Sequence, residues 1–238
     1  MRLERLGGLL VRLTGGSDGR GGGDGPVVVL LHGFGAPGDD LVSLWPALNV
    51  PRGTRFLFPE APLSLHLGFG ESRAWWMLDL ERRNRDIAAG RARDLSREVP
   101  NGLAEARARM MALLDEAQRR LGADPKQVLL GGFSQGAMLA CDLVLRTDWP
   151  FAGLALLSGT LIAKEEWVPL MPKRRGLLVL QSHGSQDPLL PLFLAEQLRD
   201  LLAQAGLAVE WVGFRGGHEI PDLVIARLGT FIRKALAR

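Results

Sequence analysis

The sequence predicts an α/β fold: a mostly parallel central sheet with helices on both faces. Three observations carry that expectation. From Pro26 onward, strand-like and helix-like segments alternate along the chain of 238 residues, the order that parallel strands joined by crossover helices require. Val27 to Leu31 is an unbroken β-branched and aliphatic run, as expected of a strand covered on both faces. Hydrophobic residues make up 47% and charged residues 23% of the chain, the balance of a globular protein with a sizeable core. The length suits one domain over residues 1–238.

The elements follow in order. Leu9 to Leu13 is a short apolar run, read as an edge strand. Gly15 to Gly25 holds seven glycines in eleven residues and is expected to be a flexible loop, so that residues 1–25 form an edge strand and a glycine-rich connection. After the strand Val27–Leu31, Asp39 and Asp40 are placed to cap a helix through Leu41, Leu44, Trp45 and Leu48. Arg55 to Phe58 is the next strand, ended by Pro59, and residues of about 60–100 form a loop-rich insertion.

Asn101 is expected to cap a helix whose apolar positions, Leu103, Ala106, Met110, Leu113, Leu114, Ala117 and Leu121, recur every three or four residues. Gly122 closes it. Strand Gln127–Leu130, helix Gln135–Arg146, strands Leu154–Leu157 and Leu177–Gln181, helix Pro191–Ala205 and strand Val209–Phe214 come next. A helix from Asp222, its expected N-cap, to Ala237 completes the chain. In sheets of this kind ligands bind beyond the carboxyl ends of the strands, so chemistry is expected there.

Composition narrows the classes of function. One cysteine, Cys141, excludes an internal disulfide and any multi-cysteine metal site. The four histidines, His32, His66, His183 and His218, form no HExxH pair, so no metal site is expected. The longest apolar run, Pro26 to Leu31, is far below the ~20 residues that span a bilayer. Residues 1–13 lack the apolar stretch and cleavage site of a secretory signal, and the chain is expected to stay in the cytoplasm. The net charge is only +3, and the arginine-rich stretch 81–120 interleaves ten Arg with seven Asp and Glu. That is the pattern of a solvated helical face, and no nucleic-acid partner is expected. Oligomeric state leaves no mark in the sequence.

Three strand ends carry the chemistry. Gly132-Phe133-Ser134-Gln135-Gly136 follows the strand ending at Leu130-Gly131 and opens a helix, the context that gives a G-x-S-x-G elbow its meaning. The turn must be sharp enough to lift the serine above the sheet, and side chains at the flanking glycines would collide with backbone. The helix then points free N–H groups at a developing oxyanion. A serine hydroxyl needs a base, and the base needs an acid to orient it. Asp187 follows the strand ending at Gln181, and His218 follows the strand ending at Phe214. Nucleophile, acid and base thus stand in the order this architecture uses.

His183 precedes Asp187 on the same loop and is expected to shape that loop by hydrogen bonding. Glu219 and Asp222 are too near His218 in sequence to reach the far side of its ring. Cys141 lies nearly two helical turns beyond Ser134, about 10 Å along the axis, and is read as a buried helix residue. The first strand ends in His32-Gly33-Phe34-Gly35. An oxyanion hole needs one N–H after the nucleophile and one from this loop; Gln135 and Phe34 are the candidates. Trp75 and Trp76, with Phe69 and Met77, are apolar enough to wall an acyl pocket, while Arg82, Arg83 and Arg85 face water. One of the two tryptophans is expected instead to anchor the loop to the core.

These pieces together resemble the carboxylesterase and lysophospholipase branch of the α/β-hydrolase superfamily, which includes the acyl-protein thioesterases. The matching segments are Leu31-His32-Gly33-Phe34-Gly35, Phe58-Pro59-Glu60-Ala61-Pro62, Trp75-Trp76, the elbow with Ala137, His183 to Pro191, and Gly217-His218-Glu219-Ile220. The resemblance implies an α/β-hydrolase fold, Ser134 as nucleophile, His218 as base, Asp187 as its partner, and Phe34 and Gln135 as oxyanion donors. It implies acyl-enzyme chemistry on small acyl esters, thioesters or lysophospholipids, without a cofactor. Between about Leu63 and Asn101 the chain departs from the eukaryotic thioesterases, so protein depalmitoylation is not carried over.

Two other readings compete. Gly33-Phe34-Gly35-Ala36-Pro37-Gly38 fits GxGxxG, with Glu60 about twenty residues on, as a dinucleotide site would have. Pro37 sits where such a turn wants a free N–H, and Ser134, Asp187 and His218 are left without a role. A catalytically idle binding member of the fold is the third reading. Such chains lose a triad residue, and this one has lost none.

Overall fold

The computed structural model describes residues 1–65, 70–81, 85, 88–89 and 94–237. Eleven strands are labelled here. They are β1 (Arg2–Leu6), β2 (Leu9–Gly16), β3 (Arg20–Gly22), β4 (Val27–Leu31), β5 (Arg55–Pro59), β6 (Leu63–Leu65), β7 (Ser72–Ala74), β8 (Val128–Phe133), β9 (Gly153–Leu157), β10 (Leu178–Gly184) and β11 (Ala208–Phe214). The helices are α1 (Leu103–Leu121), α2 (Gln135–Arg146), the single turn α3 (Lys164–Trp167), α4 (Leu192–Gln204) and α5 (Asp222–Leu236).

The main sheet runs β1-β2-β5-β4-β8-β9-β10-β11, with β3 beside β2. From β5 to β11 every neighbouring pair is parallel, while β1–β2 and β2–β5 are antiparallel. The strand Val27–Leu31 shows why its sequence lacks alternation. Val27, Val29 and Leu31 pack into the core on one face with α1 and α2, whereas Val28 and Leu30 join α5 residues such as Leu228 and Phe231 on the other. Both faces are covered, so every position is apolar. Among the described residues no helix is long and apolar enough to cross a membrane.

Several expectations need correction. The glycine-rich segment is not all loop: β2 runs on to Gly16 and β3 occupies Arg20–Gly22. The helix after Asp39 is a 3-10 segment, Asp40–Ala47, with Pro46 inside it and no side-chain cap from Asp39; proline removes an N–H that an α-helical ladder would need. Asn101 does not cap α1. Gly102 holds that position at φ 94, and a Cβ there would lie 3.0 Å from Cβ of Trp76. Pro221, not Asp222, precedes α5; Asp222 sits in the first turn, where its charge suits the helix dipole. The loop-rich insertion contains the hairpin β6–β7. The turn α3 and the 3-10 segment Val168–Arg174 were not anticipated.

The α1 stripe is as expected, with Leu103, Ala106, Met110, Leu113, Leu114 and Ala117 buried and Gly122 at φ 60 closing the helix. Cys141 is fully buried on α2, and burial pushes its thiol well above the ordinary range.

Candidate active site

The elbow joins β8 to α2. Ser134 sits between them at φ 55, ψ −116, a region that residues with a side chain rarely occupy and that persists only where the surroundings over-determine it. Its N–H donates to the carbonyl of Leu157 at 2.9 Å, tying the turn to the end of β9. The flanking glycines are sterically required. A Cβ on Gly136 would lie 2.1 Å from the carbonyl oxygen of Leu31, and one on Gly132 would lie 2.4 Å from the carbonyl carbon of Gly136. As the first residue of α2, Gln135 presents an N–H that the helix itself cannot satisfy.

Asp187 and His218 meet across the loops that follow β10 and β11. Nδ1 of His218 lies 2.6 Å from Oδ2 of Asp187, whose side chain is fully buried. Oδ1 of Asp187 accepts from the N–H groups of Leu189 and Leu190 at 2.8 and 3.0 Å. Burial alone would push the pKa of this carboxyl up. The bonds from His218 and the two amides outweigh it and hold the group below the usual carboxylate range. With Nδ1 engaged, Nε2 is the remaining hydrogen-bonding atom of the His218 ring, and His218 and Ser134 line the same cavity. The ring of Phe133 rests 4.8 Å from that of His218. Glu219 is occupied in its own turn, accepting from Gly217 N–H, so Asp187 is the acid that reaches the histidine. His183 shapes the Asp187 loop as expected, through a 2.9 Å bond between Nε2 and the Leu190 carbonyl.

The loop after β4 is held by two sets of bonds. His32 is buried; its Nε2 accepts from Ala61 N–H at 3.1 Å, so Nδ1 carries the proton and donates to Gly33 carbonyl at 2.8 Å. Burial keeps this ring below the usual histidine range, so it is neutral at pH 7. Gly35, at φ 81, donates to the Arg73 carbonyl at 2.8 Å, and Arg73 N–H returns a bond to Ala36 at 3.0 Å. Gly33 lies against the elbow: a Cβ there would be 3.3 Å from Cβ of Ser134. Phe34 lies between these anchors and lines the cavity.

Glu60 is committed elsewhere. Its carboxylate pairs with Arg12 at 3.0 Å and Arg73 at 2.7 Å, and a Cβ on Gly38 would meet Glu60 Cγ at 2.5 Å. The segment that fits GxGxxG therefore packs on the acid that would have to take a ribose. The dinucleotide reading is not supported.

The cavity measures about 410 Å³. Ser134, His218, Phe34 and Gln135 line it, among apolar walls from Trp76, Met77, Leu95, Val99, Met138, Ile162 and Leu190. The two tryptophans part company. Trp76 lines the cavity. Both are buried in the core, but Trp75, expected as a possible wall, does not line the cavity, and its Nε1–H donates to the His32 carbonyl at 2.9 Å. The side chain of Gln135 spans both: its Oε1 accepts from Trp75 N–H at 2.9 Å and its Nε2 donates to the Trp76 carbonyl at 2.9 Å.

Met138, Ile162 and Leu190 were missed. Met138 was legible as the residue one helical turn beyond Ser134, and Leu190 as a neighbour of Asp187; nothing in the sequence marks Ile162. His66, Phe69, Arg82 and Arg83 lie outside the described residues, and Arg85 is exposed. Among the described residues no group of three His, Cys, Asp or Glu side chains is arranged to hold a metal ion.

Known proteins share this arrangement of sequence and fold. Residues 22–236 match the family model described as Phospholipase/Carboxylesterase. An acyl-protein thioesterase 1 from Gibberella zeae is 24% identical over 217 residues, covering 88% of this chain and 90% of that protein. Another, from Kluyveromyces lactis, is 28% identical over 172 residues, 70% of this chain and 71% of its own. Among solved structures, that of esterase PE8 superposes with a TM-score of 0.77 at 26% identity, covering 99% of this chain and 100% of the other.

Proposed function

The chain belongs to the phospholipase/carboxylesterase family of the α/β-hydrolase superfamily, and from that premise we propose that it is a serine esterase in which Ser134 is the nucleophile, His218 the base and Asp187 the acid that orients it. The observation that carries the assignment is the 2.6 Å pair of His218 Nδ1 and Asp187 Oδ2, set beside a cavity that His218 shares with Ser134. Neutral His218 takes the hydroxyl proton at Nε2 as Ser134 Oγ attacks the substrate carbonyl. Backbone N–H groups of Phe34 and Gln135 receive the oxyanion. His218 then protonates the departing alcohol or thiol, and water attacks the acyl-serine by the same route in reverse. These steps need no metal or organic cofactor, and a chelator should leave the rate unchanged.

The acyl group goes to the apolar part of the cavity, with Trp76 as one wall and Trp75 fixing the loop behind it. An empty apolar site of about 150 Å³ takes one benzene, so about 410 Å³ suits an acyl chain of several methylenes. Thioesters belong in the same substrate class, because sulfur is the better leaving group and two relatives are acyl-protein thioesterases by name. We read residues 1–238 as one domain that works in the cytoplasm.

The test is a fluorophosphonate, which should label Ser134 and no other serine. Ser134→Ala should lose labelling and nearly all turnover of a chromogenic acyl ester. An adduct on a different serine, or an alanine variant with most of its activity, overturns the assignment.

A further inference from the structure

Two polar residues that never reach the cavity hold the acid and base loops from below. Ser158 follows β9 directly and is fully buried, with φ 47. Glycine takes such a conformation without strain and serine does not. What serine supplies is a hydroxyl, and that hydroxyl donates to the carbonyl of Glu219, the residue after His218, at 3.2 Å. His183, on β10, is also fully buried. Its Nε2 faces the carbonyl of Leu190 at 2.9 Å, and a carbonyl only accepts, so Nε2 carries the proton. Leu190 N–H in turn donates to Oδ1 of Asp187 at 3.0 Å. The same Nε2 lies 3.5 Å from Oδ2 of Asp187.

The two supports are joined. Ser158 N–H donates at 2.9 Å to the carbonyl of Ser182, the residue before His183. One rung between the ends of β9 and β10 therefore carries both bonds, one to each loop. We infer that Ser158 and His183 are positioning residues: together they set the separation of Asp187 and His218, Ser158 through the Glu219 carbonyl and His183 through Leu190. The inference rests on the triad assignment above. Neither residue lines the cavity, so neither is expected to touch substrate.

Strain and hydrogen bonding at Ser158 can be separated experimentally. Ser158→Ala keeps the strain and loses the hydroxyl; Ser158→Gly relieves the strain and loses it too. Both should lower kcat for a chromogenic ester about tenfold, the rate equivalent of one lost hydrogen bond, with KM within about twofold. The glycine variant should nonetheless melt at a higher temperature than the alanine variant. At the other support, His183→Leu should lower kcat by a similar factor, and His183→Gln, which can offer an N–H near the same point, should restore most of it. Recovery of kcat in Ser158→Gly in step with its stability would reduce Ser158 to a structural role and overturn the inference. So would equal kcat in His183→Leu and His183→Gln, or wild-type kcat in all four. The Ser134→Ala control keeps the two proposals apart: if that variant still turns over, the triad assignment has failed, whatever the positioning variants do.

Discussion

Oδ2 of Asp187 lies 2.6 Å from Nδ1 of His218, while the other oxygen of the same carboxylate is held by two backbone amides. The carboxylate therefore has one oxygen for the histidine and one for its own loop. Asp187→Asn keeps the shape, but its amide can turn an N–H toward Nδ1, which favours the ring tautomer that leaves Nε2 protonated and unable to accept from Ser134. The equivalent change in a serine protease triad lowers kcat about 10⁴-fold, and a loss of that order is expected here. Steady-state kinetics on a chromogenic ester measure it. A loss below about tenfold would show that Asp187 does not orient the base.

Trp76 and Trp75 should respond differently to truncation. Each buried methylene is worth about 0.8 kcal/mol, or roughly fourfold in rate. Trp76→Ala should therefore cost more on octanoyl than on acetyl esters, with the gap widening as the chain lengthens. Trp75→Ala removes a core residue and its bond to His32. It should lower the melting temperature and depress all esters alike. The same chain-length profile in both variants would contradict the division between wall and anchor.

His32 gives the fold a dependence on pH that Asp187 does not share. Its ring is held below its ordinary value by burial, so the unfolded chain takes up a proton at about pH 6.5 that the folded protein refuses. Stability contributed by neutral His32 is complete above that pH and declines as pH falls from there toward the folded value. Asp187 is also depressed, but a carboxylate's contribution is complete above about pH 3.9 and is lost only as pH falls through the folded value. Urea unfolding between pH 5 and 7.5 should show a slope that His32→Asn flattens. An unchanged slope in that variant would place its source in another group.

The elbow should reject even one methyl group. Gly136→Ala brings Cβ to 2.1 Å from the Leu31 carbonyl oxygen and 2.7 Å from that of His32, and backbone atoms, unlike the end of a flexible side chain, have little room to yield. The variant should either fail to fold or fold with the nucleophile displaced, losing at least about 10²-fold in rate. Gly19→Ala, where nothing lies within 4 Å but φ is 69, serves as a control for backbone strain alone. Wild-type labelling of Gly136→Ala by a fluorophosphonate would refute the steric argument.

The central strands were legible because burial on both faces leaves a composition no other element needs: Val27 to Leu31 divides residue by residue between two cores. The elbow was legible because its glycines answer a local clash. The capping assignments were less secure, since they depend on tertiary neighbours. Asn101 carries a favourable cap side chain, yet Trp76 crowds the next position and Gly102 takes the turn. In α3 and the 3-10 segment after it, Pro169 and Pro172 broke up the helical pattern. The division of labour between Trp75 and Trp76 could not be read at all, because which of two adjacent tryptophans faces the cavity depends on how their segment is anchored, and a side chain sixty residues away, Gln135, bonds the backbone of both.

Arg73 exchanges two backbone bonds with Gly35 and Ala36 while its guanidinium pairs with Glu60. The loop proposed to stabilise charge and the hairpin leading to Trp75 and Trp76 thus form one mechanical body. Transplanting the segment between β5 and α1 from a relative would not be a modular exchange of specificity. It would change the backbone that holds the Gly35–Ala36 loop in place, so that substrate range and turnover rate would change together, and selection for a new acyl chain would proceed through variants that are also slower or faster catalysts.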